Sequence, residues 1–447
     1  LSTYPWPSDT TVVVVGAGFA GVEAAWAVAD AGLTVTLVEM RPDTMTPAHR
    51  TGNLAEIVCS NSFKSDTPGT ASRMLKDEMR ILGSVSLLAA SESSVPAGGA
   101  LAVDRNAFSQ AVTRLIAEKP NIRVIRAEVT EIPLVVPTII ATGPLTSEAL
   151  GSAIVALTGE EHLYFHDAIA PTIDADSINR DIVFHASRYG KGEGGYLNCP
   201  MTEDEYEAFI DALMSADRVP LKDFEDVRVF EGCMPVEEIA ARGRLTLAHG
   251  PMKPVGLTDP RTGRMPFAVV QLRQENLDAT TYGMVGFQTR LKWGEQKRIF
   301  RMIPGLENAE FARFGAMHRN TFINSPRLLN SVLRYVGPGR DSNSAPLFFA
   351  GQITGVEGYM ESAATGIVAG RNLVAVLRGT EPAVFPEETM IGALCRYVAD
   401  SEEKRFQPMN ACFGILPPLR FRGRKSERHA AMADRGIRAL KQALQAV

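Results

Sequence analysis

The sequence is poor in cysteine, and the few it has stand apart. Five occur in 447 residues (Cys59, Cys199, Cys233, Cys395 and Cys412), none in a CxxC pair, and the seven histidines form no HExxH. These spacings exclude structural zinc, iron–sulfur clusters and the disulfide framework of a small secreted domain, so no metal site is expected. Long hydrophobic runs are also missing. The longest apolar stretches, such as 149–157, fall well short of a bilayer span, and no signal-peptide pattern precedes the first strand, so a cytoplasmic protein with no membrane partner is expected. A strong excess of either sign of charge is absent too, with 46 Lys and Arg against 51 Asp and Glu and a formal net charge of −5. No global field pulls the chain towards nucleic acid, and such a partner would need a local basic patch. What remains is an ordinary globular composition, 45% hydrophobic, long enough to bury a large core in two or more lobes.

One stretch organises the chain. Val12 to Val15 form a β-branched run suited to a buried parallel strand, and Gly16, Ala17, Gly18, Phe19, Ala20 and Gly21 then open a helix of small residues. Gly16 allows a tight turn, Gly18 lets backbone approach a pyrophosphate, and Gly21 lets helix and strand pack closely. The helix N-terminus offers N–H groups to phosphate. A second strand delivers Glu39 at the spacing where an acid accepts from the adenosine ribose, which favours FAD or NAD over NADP.

Segment 40–66 is rich in Pro, Thr, His and Ser and reads as a long loop over the ligand-binding edge of the sheet. It carries Cys59 among small polar residues, a setting that suits either a reactive thiol or a semi-buried structural one. Helices are expected over 72–88 and 103–116, and a strand over 122–127. The apolar strand ending in Ala141-Thr142-Gly143 is common in two-dinucleotide-fold flavoproteins, where backbone passes the adenine side of FAD. Composition shifts near 190–195. A capping box, Thr202 with Glu205, then starts a helix over 203–216, followed by a strand at 227–230 and by Cys233, again either functional or packed. A helix at 236–242 and strands over 246–257, 267–272 and 284–289 complete an inserted α/β lobe. Trp293 and Phe287 are either core or a platform for a flat ring.

The strand at 346–350 enters a second glycine-rich turn, Gly351-Gln352, and a small-residue helix beginning near Tyr359 and Glu361. Such a unit closes an FAD site from the C-terminal side, and its helix N-terminus can stabilise charge on the reduced flavin. Gln352 stands where an acid is usual. No second GxGxxG follows a strand, which favours FAD and leaves no separate nicotinamide domain. The expected fold is therefore α/β: a Rossmann-like FAD-binding domain of the two-dinucleotide-fold type from 10–195 and 325–447, with an inserted α/β domain at 196–324. The tail cluster Arg420, Arg422, Arg424 and Lys425, with Phe421 interleaved, reads equally as an RNA backbone contact or a solvated helix flank.

Together these residues resemble the bacterial folate- and FAD-dependent tRNA uracil-54 methyltransferase family, TrmFO. The resemblance covers nearly the whole chain and rests on GAGFAGVEAA at 16–25, LAEIVCSNS at 54–62, YLNCPMTEDEY at 196–206, EGCMPVEEIA at 231–240, LKWGEQKRIF at 291–300 and GQITGVEGYMESAATG at 351–366. It implies formation of 5-methyluridine at position 54 of the tRNA T-arm, with FAD as cofactor and NAD(P)H and 5,10-methylenetetrahydrofolate as co-substrates. The folate carbon is at the formaldehyde level, so making a methyl group needs two further electrons, which explains a flavin in a methyltransferase. Uracil C5 becomes nucleophilic when a thiolate adds at C6. By resemblance Cys59 and Cys233 are the functional pair, one attacking the uracil and the other assisting proton removal or resolving the intermediate, with Cys233 favoured as the nucleophile and Cys59 as the general acid/base, while Trp293 and Arg298 are folate-side contacts. The competing expectations are an FAD-dependent NAD(P)H oxidoreductase of a small substrate, the related MnmG-type wobble-uridine flavoprotein, and a flavin-bearing RNA-binding module without turnover.

Overall fold

The computed structural model describes residues 6–190, 195–220, 234–340, 344–402 and 406–445. Val12–Val15 lies at the centre of a five-stranded sheet in the order Leu347–Phe349, Thr138–Ile140, Val12–Val15, Val35–Glu39, Ile122–Arg126, and every pairing is parallel. Both faces are covered. Val12 and Val14 pack into the core formed with the Phe19–Asp30 and Tyr359–Leu377 helices, and Val13 and Val15 into a second core with Ile140, Leu150 and Phe349. That explains a run of valines with no polar alternation, each contributing about 1.5–3 kcal/mol on full burial.

The chain leaves this lobe through the strand Leu163–Ile169 and returns through Ala316–Phe322, and the two form an antiparallel ribbon. Between them lies a six-stranded antiparallel sheet: Phe184–Ala186, Tyr196–Met201, Ala268–Gln274, Thr281–Met284, Thr172–Asp174, Phe311–Arg313. It buries its own core against the helices Glu203–Met214, Val236–Ala241 and Trp293–Phe300. Two strands of this sheet, Thr172–Asp174 and Phe184–Ala186, fall on the amino-terminal side of the boundary expected at 195/196. Antiparallel pairing draws in these short segments, whose sequence carries no change of composition.

Local expectations hold where chemistry is local. Thr202 accepts from the Glu205 N–H and Glu205 reaches back to the Thr202 N–H, so the capping box is present. Elsewhere they need correction. The helix expected over 72–88 is two, Ala71–Ile81 and Val85–Glu92, because Gly83 takes φ 80° and Ser84 caps the second. The strand expected over 246–257 is the short helix Thr246–His249 followed by turns. Phe287 is fully buried in the second lobe's core and is not a ring platform. The strand expected at 227–230 lies outside the described residues. No helix among the described residues is long and apolar enough to cross a membrane.

Candidate active site

The glycine turn makes the first of two joined chambers. Gly16 adopts φ 95°, and a Cβ there would stand 2.7 Å from the Ala141 carbonyl oxygen; at Gly21 it would stand 1.7 Å from the Gly16 oxygen. Strand, helix and turn thus approach to a distance only glycine permits. At Gly18 a Cβ would meet nothing within 4 Å, so the backbone there faces open space beside the uncapped start of the Phe19–Asp30 helix. Gly16, Gly18, Phe19, Ala20, Glu39, Gly143, Gly351, Gln352 and Tyr359 line this chamber. Of the other expected cofactor contacts, Ala17 and Gly21 sit behind it, and Glu361 faces the second chamber.

Glu39 ends its strand with its carboxylate already oriented. Oε2 accepts from the Ala17 N–H at 3.0 Å, and Oε1 accepts from the Arg41 N–H at 3.1 Å and Nε at 2.9 Å. Burial would raise this carboxyl, but the Arg41 hydrogen bond and charge and the two backbone donors outweigh it and leave it below the ordinary carboxylate value. Oε2 keeps acceptor capacity for a ribose hydroxyl. Arg41 also reaches the Thr51 carbonyl at 3.2 Å and Glu56 at 2.8 Å, and Glu56 in turn accepts from the Arg50 N–H and from the N–H and hydroxyl of Thr51. Ala55 N–H donates to the Ala17 carbonyl and Leu54 N–H to Thr113. The loop is therefore stitched to the cradle along its length. An open backbone at Gly18, an uncapped helix start and a pre-oriented ribose acceptor fit a dinucleotide.

Val58, Pro144, Leu145, Gln352 and Tyr359 wall both chambers. The second is lined by Cys59, Lys64, Arg105, Arg273, Glu275, Arg313, Glu357 and Glu361, drawn from both lobes. Tyr359 opens its helix and packs its ring against Phe19 at 4.7 Å. Its hydroxyl oxygen accepts from the N–H groups of Val58 at 3.2 Å and Cys59 at 2.8 Å. Glu361, 1% exposed, accepts from Lys64 Nζ at 2.7 Å and the Ala411 N–H at 3.0 Å, while its Oε2 has no hydrogen-bond partner among the described residues. Gln352 donates to Glu357.

Arginines were the part that sequence reasoning missed. Arg105 donates to Glu275 at 2.6 Å and to the Ile57 carbonyl at 3.1 Å; burial works against its charge, and Glu275 outweighs it. Arg273 donates to Asn61 at 2.8 Å and Ser60 at 2.7 Å. Arg313 donates to the carbonyls of Val58 at 2.9 Å and Cys59 at 3.1 Å. Most of these contacts join positions 170 or more apart in sequence, and no local pattern marks them.

Of the two cysteines singled out, Cys59 is half-buried and lines the second chamber. Cys233 lies outside the described residues; where description resumes, the Val236 N–H donates to the carbonyl of Gln288, which lines the same chamber. Cys199 and Cys395 are buried, and burial pushes both thiols up, Cys395 to about 12. Trp293 and Arg298 line neither chamber. Trp293, 66% exposed, stacks on Phe314 at 5.4 Å, and Arg298 pairs with Glu295 at 2.5 Å. Arg420, Arg422, Arg424 and Lys425 are all exposed, at the start of the Lys425–Gln445 helix.

The family model described as Glucose inhibited division protein A matches residues 11–381. The methylenetetrahydrofolate--tRNA-(uracil-5-)-methyltransferase TrmFO of Pelotomaculum thermopropionicum is 57% identical over 96% of this chain and 97% of its own length. The protein of that name from Bacillus subtilis is 54% identical over 97% of this chain and 98% of its own. Among solved structures, Aquifex aeolicus GidA in its form II crystal superposes with TM-score 0.66 at 17% identity, covering 98% of this chain and 76% of that one, a likeness of fold. With relatives this similar along almost the full length, the chain belongs to the TrmFO family.

Proposed function

We propose that this protein methylates C5 of uracil in tRNA, at position 54 of the T-arm, taking the carbon from 5,10-methylenetetrahydrofolate and the electrons from NAD(P)H by way of FAD. The observation that carries the reading is the placement of Cys59 in a chamber that shares a wall with the glycine cradle. FAD, when bound, supplies the two electrons that take the folate carbon from the formaldehyde to the methyl level. Gly16, Gly18 and the helix start beside them would hold its pyrophosphate, and Glu39 its ribose.

The chain's own groups do the rest. A thiolate adding to uracil C6 raises electron density at C5, and Cys233 has that role in this reading. Cys59 accepts the C5 proton once the methyl carbon is attached, and elimination of the first thiolate restores the ring. Arg105 lines the second chamber and supplies positive charge there, which acts strongly on a developing anion. The target base is stacked within tRNA and must be turned out to enter.

Labelled methylenetetrahydrofolate, NAD(P)H and T-arm RNA provide the test. Label is expected in 5-methyluridine at position 54 with wild-type protein, and to be lost with Cys59→Ala or Cys233→Ala while NAD(P)H still reduces bound FAD. Full methylation by either variant would remove that cysteine's role, and transfer from S-adenosylmethionine instead of folate would remove the reading altogether.

A further inference from the structure

We propose that Arg313 is a positioning residue that holds the Val58–Cys59 peptide, and with it the Cys59 thiol, from the second lobe. The inference rests on the catalytic reading of Cys59 only for its functional consequence; the clamp itself stands on geometry.

All four polar backbone groups of Val58 and Cys59 are engaged by two side chains from opposite sides. The Tyr359 oxygen accepts both N–H groups, and the terminal nitrogens of Arg313 donate one to each carbonyl. The planar guanidinium fork meets two neighbouring carbonyls with a separate terminal nitrogen each, in a fixed geometry, whereas a lysine ammonium brings its three donors from one point and fixes the peptide less closely. Arg313 closes the edge strand Phe311–Arg313 of the antiparallel sheet, just ahead of the return ribbon Ala316–Phe322. Its position is therefore set by the second lobe, whereas Tyr359 belongs to the first.

The arrangement is unfavourable unless it serves something. Burial, and next the neighbouring charge of Arg105, pull the Arg313 guanidinium down to about 10, so it is still cationic at neutral pH, beside a second arginine in a half-closed chamber. Glu275, the nearby carboxylate, takes its short contact from Arg105. Arg313 gives its terminal hydrogen bonds to the loop that carries Cys59. Any displacement of the second lobe then moves the thiol, which makes lobe placement a condition for proton transfer at C5.

The test uses the FAD-loaded, full-length protein with Arg313→Lys and Arg313→Gln. Alkylation of Cys59 by iodoacetamide is followed by mass spectrometry of its peptide across pH 6 to 9, beside kcat and KM for T-arm RNA. Arg313→Gln is expected to slow alkylation at neutral pH by about threefold or more and move its profile to higher pH, because the Val58–Cys59 peptide is no longer held and the thiol loses the placement beside positive charge that the clamp gives it. It should lower kcat about tenfold with little change in KM, as expected for misplacement of a reacting group. Arg313→Lys should recover part of both. Wild-type alkylation rates and pH profile in these variants overturn the proposal, whatever methyl transfer does, and if the Gln variant does not retain FAD the Lys variant decides. Cys59→Ala with full methyl transfer would remove the catalytic reading of Cys59 while leaving the clamp to stand or fall on alkylation.

Discussion

Glu78 is fully buried, and its carboxylate accepts from the N–H groups of Met390 and Ile391, the first turn of the helix Met390–Asp400. Burial pushes its carboxyl up to about 8, against those two donors. A carboxyl raised on folding binds its proton more tightly folded than unfolded, so its stabilisation is complete below the ordinary value near 4.5 and is lost as pH rises through about 8. Glu78→Gln cannot titrate. Melting temperatures of the two proteins between pH 5 and 9 should therefore move in favour of the glutamine variant as pH rises, and a constant difference would rule this out. Nothing in the sequence marks Glu78, which looks like any acid on an amphipathic helix. The place of Glu39 at a strand end beside the glycine-rich turn was legible from spacing alone. Arg41, Arg105 and Arg313 were not, because their partners are fixed by tertiary approach alone.

Between elements, the helices Phe19–Asp30 and Tyr359–Leu377 pack backbone to backbone. A Cβ at Gly366 would stand 2.1 Å from the Ala20 carbonyl oxygen, and one at Gly370 2.7 Å from that of Ala24. Both helix starts face the chambers, so their spacing sets the width of the cradle. Gly366→Ala gains up to about 1 kcal/mol of helix propensity and loses about 1–3 kcal/mol to overpacking against backbone. The variant should melt lower and retain less FAD; full flavin content at an unchanged melting temperature would show that the helices can spread without cost. The small residues of both helices were visible in the sequence, but that the two helices pack on each other was not. The failures came where one glycine decides an element, as at Gly83, or where turns follow a brief helix, as after His249.

At the scale of the molecule, two lobes meet at polar side chains: Arg105 with Glu275, Arg273 with Asn61, Arg313 with the Cys59 loop, and Tyr196 with the Ala97 carbonyl. The sequence announced an insertion but not its edge, since the first strands of the second sheet are too short to leave a pattern. The exposed Arg420, Arg422, Arg424 and Lys425 give an otherwise acidic chain one candidate face for RNA phosphates. Replacing all four with glutamine should weaken tRNA binding across sequences and flatten the log–log salt dependence by roughly 0.9 for each phosphate no longer neutralised. An unchanged slope would assign them to solvent.

The stitching of the loop between Glu39 and Cys59 has a thermodynamic side. Fixing backbone costs about 1–2 kcal/mol per residue in lost conformational freedom. In a mobile loop that loss would be deducted from substrate affinity. Here Arg41, Glu56 and Ala55 order the chain during folding. The entropy of placing a thiol is thus lost once, when the protein forms, and is not charged again at each turnover.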